Sequence, residues 1–205
     1  MAKFYSVVLL AILTSIATIS SANTIVVLGD SISAAYNMPE EKGWVHLIQQ
    51  TITDNGYPHT VINKSISGDT TAGGLARIDQ ALEQHKPNLV LIELGANDGL
   101  RGFPPILIKK NLRELIKRSK KAGAQVLLLS MRIPSNYGKR YTNLFYNNYP
   151  DLANEMDIPF VPFILKDIAL AKDMFQEDKL HPNEKAQPII AEKIWEYLEP
   201  VIKAN

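Results

Sequence analysis

Short apolar runs alternate with longer segments of helical period along almost the whole of this chain, and few architectures tolerate that alternation. Residues 24–28, 60–62, 89–94, 126–131 and 158–161 read as strands. Between them, residues 44–53 place Trp44, Leu47, Ile48 and Thr51 on one face, and residues 75–85 do the same with Leu75, Ile78 and Leu82. Residues 105–121 continue with Ile108, Leu112, Leu115 and Ile116, and Gly123 stands just past their end as a helix stop. Residues 143–156 make a weaker helix interrupted by Pro150. Residues 184–202 form the last helix, with Asn183 as a cap and Pro188 near the start, where a missing N–H costs least. Strands alternating with helices predict an α/β domain, a three-layer sandwich on a parallel sheet. No repeat, low-complexity tract or linker divides it.

Residues 1–22 read differently from the rest. Lys3 gives a positive start, residues 7–19 are mostly apolar, and Ser20, Ser21 and Ala22 are small, which predicts a secretory signal cut after Ala22. The other reading, a membrane anchor, has a short apolar core that contains Thr14, Ser15 and Thr18. Residues 23–205 then form one domain, large enough to bury a core without staples. The chain has 22 basic and 21 acidic residues, so nothing in its overall charge favours nucleic acid. It has no cysteine, although export permits disulfides, so the domain holds itself by packing. The same absence removes a thiol nucleophile, a thiolate metal site and acylation of a cysteine at the cleavage site.

Three of the expected strand ends lead into small or polar clusters: Gly29-Asp30-Ser31, Ser67-Gly68-Asp69 and Gly95-Ala96-Asn97-Asp98. In a flavodoxin-like five-stranded sheet of order 2-1-3-4-5, the first three strands are neighbours and ligands bind at their carboxyl ends, so the clusters would share one crevice. Ser31 there is a candidate nucleophile; equally, Asp30 or Ser31 would cap a following helix. The Ser31 N–H, the Gly68 N–H and the Asn97 amide would serve as donors to an oxyanion. Gly68 also suits a turn that needs positive φ, and Asn97 a turn bonded to its own backbone. A serine needs an oriented base, and Asp178-Lys179-Leu180-His181 offers His181 with Asp178 in one loop, stiffened by Pro182. A surface histidine beside an acid is the plainer reading of that tetrapeptide. His46, His59 and His85 read as surface or packing residues. A metal site built on His181, Asp178, Asp173 and Glu177 lacks a second histidine at ligand spacing, and no phosphate-loop string occurs.

Taken together, Ser31, Gly68, Asn97 and His181 resemble the four marker residues of the SGNH or GDSL hydrolase superfamily. The blocks Ser67-Gly68-Asp69-Thr70, 94–103 and 132–141 strengthen the likeness, which covers residues 24–201. Ile32 stands where the family's motif has leucine, and Ala96 where glycine is common. The resemblance implies the SGNH hydrolase fold, a Ser31 nucleophile, a His181 base oriented by Asp178, and an oxyanion hole of Ser31, Gly68 and Asn97. It implies acyl esters and thioesters as substrates, no cofactor and no obligate protein partner. With the signal it implies a periplasmic enzyme that meets lysophospholipid more readily than acyl-coenzyme A and makes transient contact with membrane lipid. A carbohydrate deacetylase using the same triad, and an exported protein that only binds, are the alternatives. Leu100 and Phe103 are candidates for an acyl groove, Ile106 and Leu107 are expected in the core, and Arg101 either meets an anionic head group or is solvated.

Overall fold

A computed structural model describes residues 23–204; the expected signal segment lies outside them. The sheet is parallel throughout, with β1 (Asn23–Gly29), β2 (His59–Asn63), β3 (Leu89–Glu93), β4 (Gln125–Leu129) and β5 (Phe160–Val161) in the order β2-β1-β3-β4-β5. The helices are α1 (Trp44–Asp54), α2 (Thr71–His85), α3 (Ala96–Leu100), α4 (Pro105–Lys121), α5 (Lys139–Met156) and α6 (Gln187–Lys203). Helices α2, α4 and α5 pack side by side on one face of the sheet, while α1 and α6 pair on the other. Every residue of β3 and the last five residues of β1 are buried, as strands covered on both faces must be. No helix among the described residues is long and apolar enough to cross a membrane.

Several boundaries move from their sequence expectations, each for a local reason. Helix α2 starts at Thr71 because the Thr70 hydroxyl accepts the Gly73 N–H at 3.2 Å. Its first turn, Thr-Ala-Gly-Gly, carries no apolar stripe, and Gly74 is there for packing: a Cβ would lie 2.5 Å from Leu94. Helix α5 starts four residues early, at Lys139, and passes through Pro150, because Phe145, Tyr149, Leu152 and Ala153 bury a continuous face around it. Strand β5 shrinks to two residues at the sheet edge, just after Pro159. The last helix divides into a single tight turn, Glu184–Ala186, capped by the Asn183 side chain, and then α6. Ile106 and Leu107 are not in the core: they are 72% and 43% exposed. Pro105 opens α4, and its buried stripe runs instead through Ile108, Leu112, Leu115 and Ile116.

Candidate active site

Strand β1 lies between β2 and β3, with Gly29 opposite Glu93. A side chain at Gly29 would come within 2.6 Å of the Ser33 hydroxyl, so glycine lets the chain turn sharply after the strand. Asp30 caps that turn, its Oδ1 accepting the Ile32 N–H at 3.1 Å. No helix follows for Asp30 or Ser31 to cap, since residues 31–37 form a turn that the Asp30 side chain closes, and the next residue, Ser31, lines the cleft.

The loop before α6 brings the second cluster to the same place. His181 Nε2 lies 2.9 Å from Ser31 Oγ, and His181 Nδ1 lies 2.6 Å from Asp178 Oδ2. Asp178 Oδ1 also accepts the backbone N–H groups of Leu180 and His181, both at 2.9 Å. Partial desolvation opposes ionisation, but the bonds from the His181 ring and the two N–H groups outweigh it and lower the Asp178 pKa from 3.8 to about 2. An ionised Asp178 keeps the ring proton on Nδ1, which leaves Nε2 to accept from Ser31. Lys179 takes φ +57° inside this tight loop, an uncommon conformation for a non-glycine residue. The Tyr36 ring packs on His181 with centroids 4.4 Å apart.

The other two clusters reach the same cleft. Gly68 has φ +80°, so the turn reading of this glycine holds, and a Cβ there would meet nothing within 4 Å. Among the described residues, the N–H groups of Ser31 and Gly68 have no backbone acceptor. Asn97 sits in the first turn of α3, a helix of five residues too short to show a period in the sequence. One of its amide hydrogens is given to Asp30 Oδ2 at 3.1 Å, which fixes the amide and leaves the other free. Asn97, Gly68, Ser31 and His181 all line one cleft of about 350 Å³. Its apolar wall includes Leu100, Met131, Pro134, Leu165 and Leu180. Phe103 is not part of that wall. Arg101 bonds the Gly68 carbonyl at 3.0 Å, so it braces the loop that carries a cleft N–H.

Beneath the nucleophile turn lies a feature that sequence reasoning missed. Asp30 and Glu93 are both buried, and Glu93 Oε2 accepts the Asp30 N–H at 3.2 Å and the Ser33 hydroxyl at 2.7 Å. Burial, and then the charge of Asp30, push the Glu93 pKa well above its ordinary value; burial raises Asp30 from 3.8 to about 6. Glu93 Oε1 is buried and has no hydrogen-bond partner among the described residues. The signal was visible in the sequence, as a carboxylate closing an otherwise apolar strand. Two further residues gave no such signal. Arg77 on α2 pairs with Asp69 at 2.7 Å and donates to the carbonyls of Gly29 and Lys64, which ties the ends of β1 and β2 together. Gln176 donates to the Tyr36 and Pro182 carbonyls at 2.9 and 3.1 Å, joining the histidine loop to the nucleophile turn.

A serine hydroxyl beside an oriented histidine, in a cleft shared with the Gly68 loop, the Asn97 amide and an apolar wall, has the parts that acyl transfer needs. Comparison with known proteins agrees. The model of the GDSL-like lipase/acylhydrolase family matches residues 27–188. An arylesterase of Vibrio mimicus is 51% identical over 172 residues, covering 84% of this chain and 86% of that protein. The thioesterase 1/protease 1/lysophospholipase L1 of Escherichia coli K12 is 43% identical over 183 residues, covering 89% and 86%. Among solved structures, the psychrotrophic esterase EstA from Pseudoalteromonas, in a form inhibited by monoethylphosphonate, superimposes with a TM-score of 0.85 at 43% identity. That match covers 88% of this chain and 99% of the esterase.

Proposed function

This chain belongs to the GDSL-like lipase/acylhydrolase family and is an SGNH esterase acting on acyl esters and thioesters, and within that activity we propose that Ser31 is the nucleophile, His181 the base and Asp178 its orienting acid. His181 Nε2 takes the Ser31 proton as Oγ attacks the acyl carbonyl. The developing oxyanion is stabilised by the Ser31 and Gly68 N–H groups and the free hydrogen of the Asn97 amide. His181 then protonates the leaving alcohol or thiol, and the acyl group stays on Ser31. Water, activated by the same histidine, releases the acid. The observation that carries these roles is the relay itself, 2.9 Å and then 2.6 Å long, opening onto donors without acceptors.

The substrate is a small-molecule acyl ester or lipid. The apolar wall of the cleft favours an acyl chain longer than acetyl, and export by the segment 1–22 would bring the enzyme to phospholipid and lysophospholipid in the periplasm. A fluorophosphonate probe and a chain-length series of nitrophenyl esters test this reading. The expected result is one adduct, lost in Ser31→Ala, with turnover higher on medium chains than on acetate. An adduct that survives Ser31→Ala overturns the nucleophile, and a clear preference for acetyl overturns the lipid substrate in favour of a deacetylase.

A further inference from the structure

Large apolar side chains scattered singly over a surface need no explanation, but here they are not scattered. Among the described residues, every one that is more than a third exposed lies on a segment following the carboxyl end of a strand. Tyr36 follows β1, Ile66 follows β2, Ile106 follows β3 at the start of α4, and Leu144 follows β4 early in α5. Leu170, 98% exposed, joins β5 to the catalytic loop, and Leu180 lies in that loop. The connections at the amino ends of the strands expose none, and neither do α1, α2 or α6. Cleft formation does not account for this ring: Tyr36 and Leu180 line the cleft, whereas Ile66, Ile106, Leu144 and Leu170 lie outside it.

Charge supplies the second observation. From Gly99 to Pro150 the only carboxylate is Glu114, which pairs with Arg118 on α4. The part of this stretch on the same pole exposes Arg101, Lys110, Lys139 and Arg140 beside Ile106 and Leu144. Exposed aliphatic tips flanked by cations suit shallow insertion among phosphate head groups. We propose that the catalytic pole is a docking face for an anionic lipid surface, with Ile106, Leu144 and Leu170 entering the acyl boundary and Lys110, Lys139 and Arg140 contacting phosphates. The proposal rests on the lipid-ester reading of the site and adds to it a reason for the enzyme to work at an aggregate: the cleft opens toward the surface that holds its substrate.

The test uses vesicles of equimolar ether-linked phosphatidylglycerol and phosphatidylcholine, which contain no acyl ester, so binding is read without turnover. Wild type should float with the vesicles. The triple variant Ile106→Ser, Leu144→Ser, Leu170→Ser should bind at least about tenfold more weakly, because three inserted aliphatic side chains are lost. Turnover of soluble nitrophenyl butyrate should be the same in both proteins, which also reports that the variant is folded. Wild type that stays unbound, or a triple variant that binds equally well, overturns the docking face. A concentration-dependent dimer that the triple variant dissolves overturns it in favour of a second copy of the chain. Absence of butyrate turnover in wild type would defeat the esterase reading alone, since vesicle binding is scored separately.

Discussion

Asp30 should make this protein less stable as pH rises, and the size of the effect follows from its burial. Its pKa is about 6 in the fold against an ordinary 3.8, so between those values the native state holds a proton that the unfolded chain has lost. Stability therefore falls as pH rises through this window, the reverse of a carboxylate held by a salt bridge. A difference of about two units corresponds to roughly 3 kcal/mol once both states are ionised. Asp30→Asn removes this titration and also the charge that helps to raise Glu93, two changes that act in the same direction, while its altered hydrogen bonds add a constant that cancels when two pH values are compared. Measured by urea unfolding at about pH 4 and about pH 8, the variant should gain roughly 2 to 3 kcal/mol on wild type between them. Activity should move the other way. An asparagine can accept from Ile32 or from Asn97 but not both, so its own amide would face the Asn97 amide and turn that group's carbonyl toward the oxyanion. Loss of that donor should lower kcat about a hundredfold with KM little changed. Parallel stability curves for the two proteins across this range would refute the buried-acid argument, and wild-type kcat would refute the coupling to Asn97.

Asp178→Asn should retain the fold by circular dichroism yet lower kcat by about 10⁴, because the amide no longer keeps the His181 proton on Nδ1; a loss under tenfold would remove Asp178 from the relay. Gly95→Ala should cost about 1–3 kcal/mol in chemical unfolding, since φ is +117° and a Cβ would sit 2.6 Å from the buried Tyr149 hydroxyl. Unchanged stability there would mean that the backbone shifts more easily than its packing indicates.

The strands and the position of the cleft were legible because buried parallel strands leave continuous apolar runs and ligands gather at their carboxyl ends, whereas the sheet order came with the resemblance and not from the runs themselves. The four clusters that meet at the cleft were legible for the same reason: each is local in the chain. What escaped notice depends on register or on distant packing. Glu93 reaches Asp30 only because it stands opposite Gly29 across the β1 and β3 pairing. Gln176 matters through Tyr36, 140 residues away in sequence. Arg101 was left open between head-group contact and solvent, and it turned inward to the Gly68 carbonyl. Ile106 and Leu107 misled because apolar residues at the first turn of a helix count toward its stripe before that stripe has settled on the sheet.

The cleft wall has two origins. Leu180 shares its loop with Asp178 and His181, and Leu100 shares α3 with Asn97, whereas Met131 and Pro134 come from a segment that carries none of these residues. Selection can therefore remodel the far wall, widening or shortening the space for the acyl chain, while the proton path through Asp178, His181 and Ser31 stays as it is. That division tells an engineer where to begin altering acyl-chain preference: at Met131 and Pro134, before any position that shares an element with Ser31, Asn97 or His181.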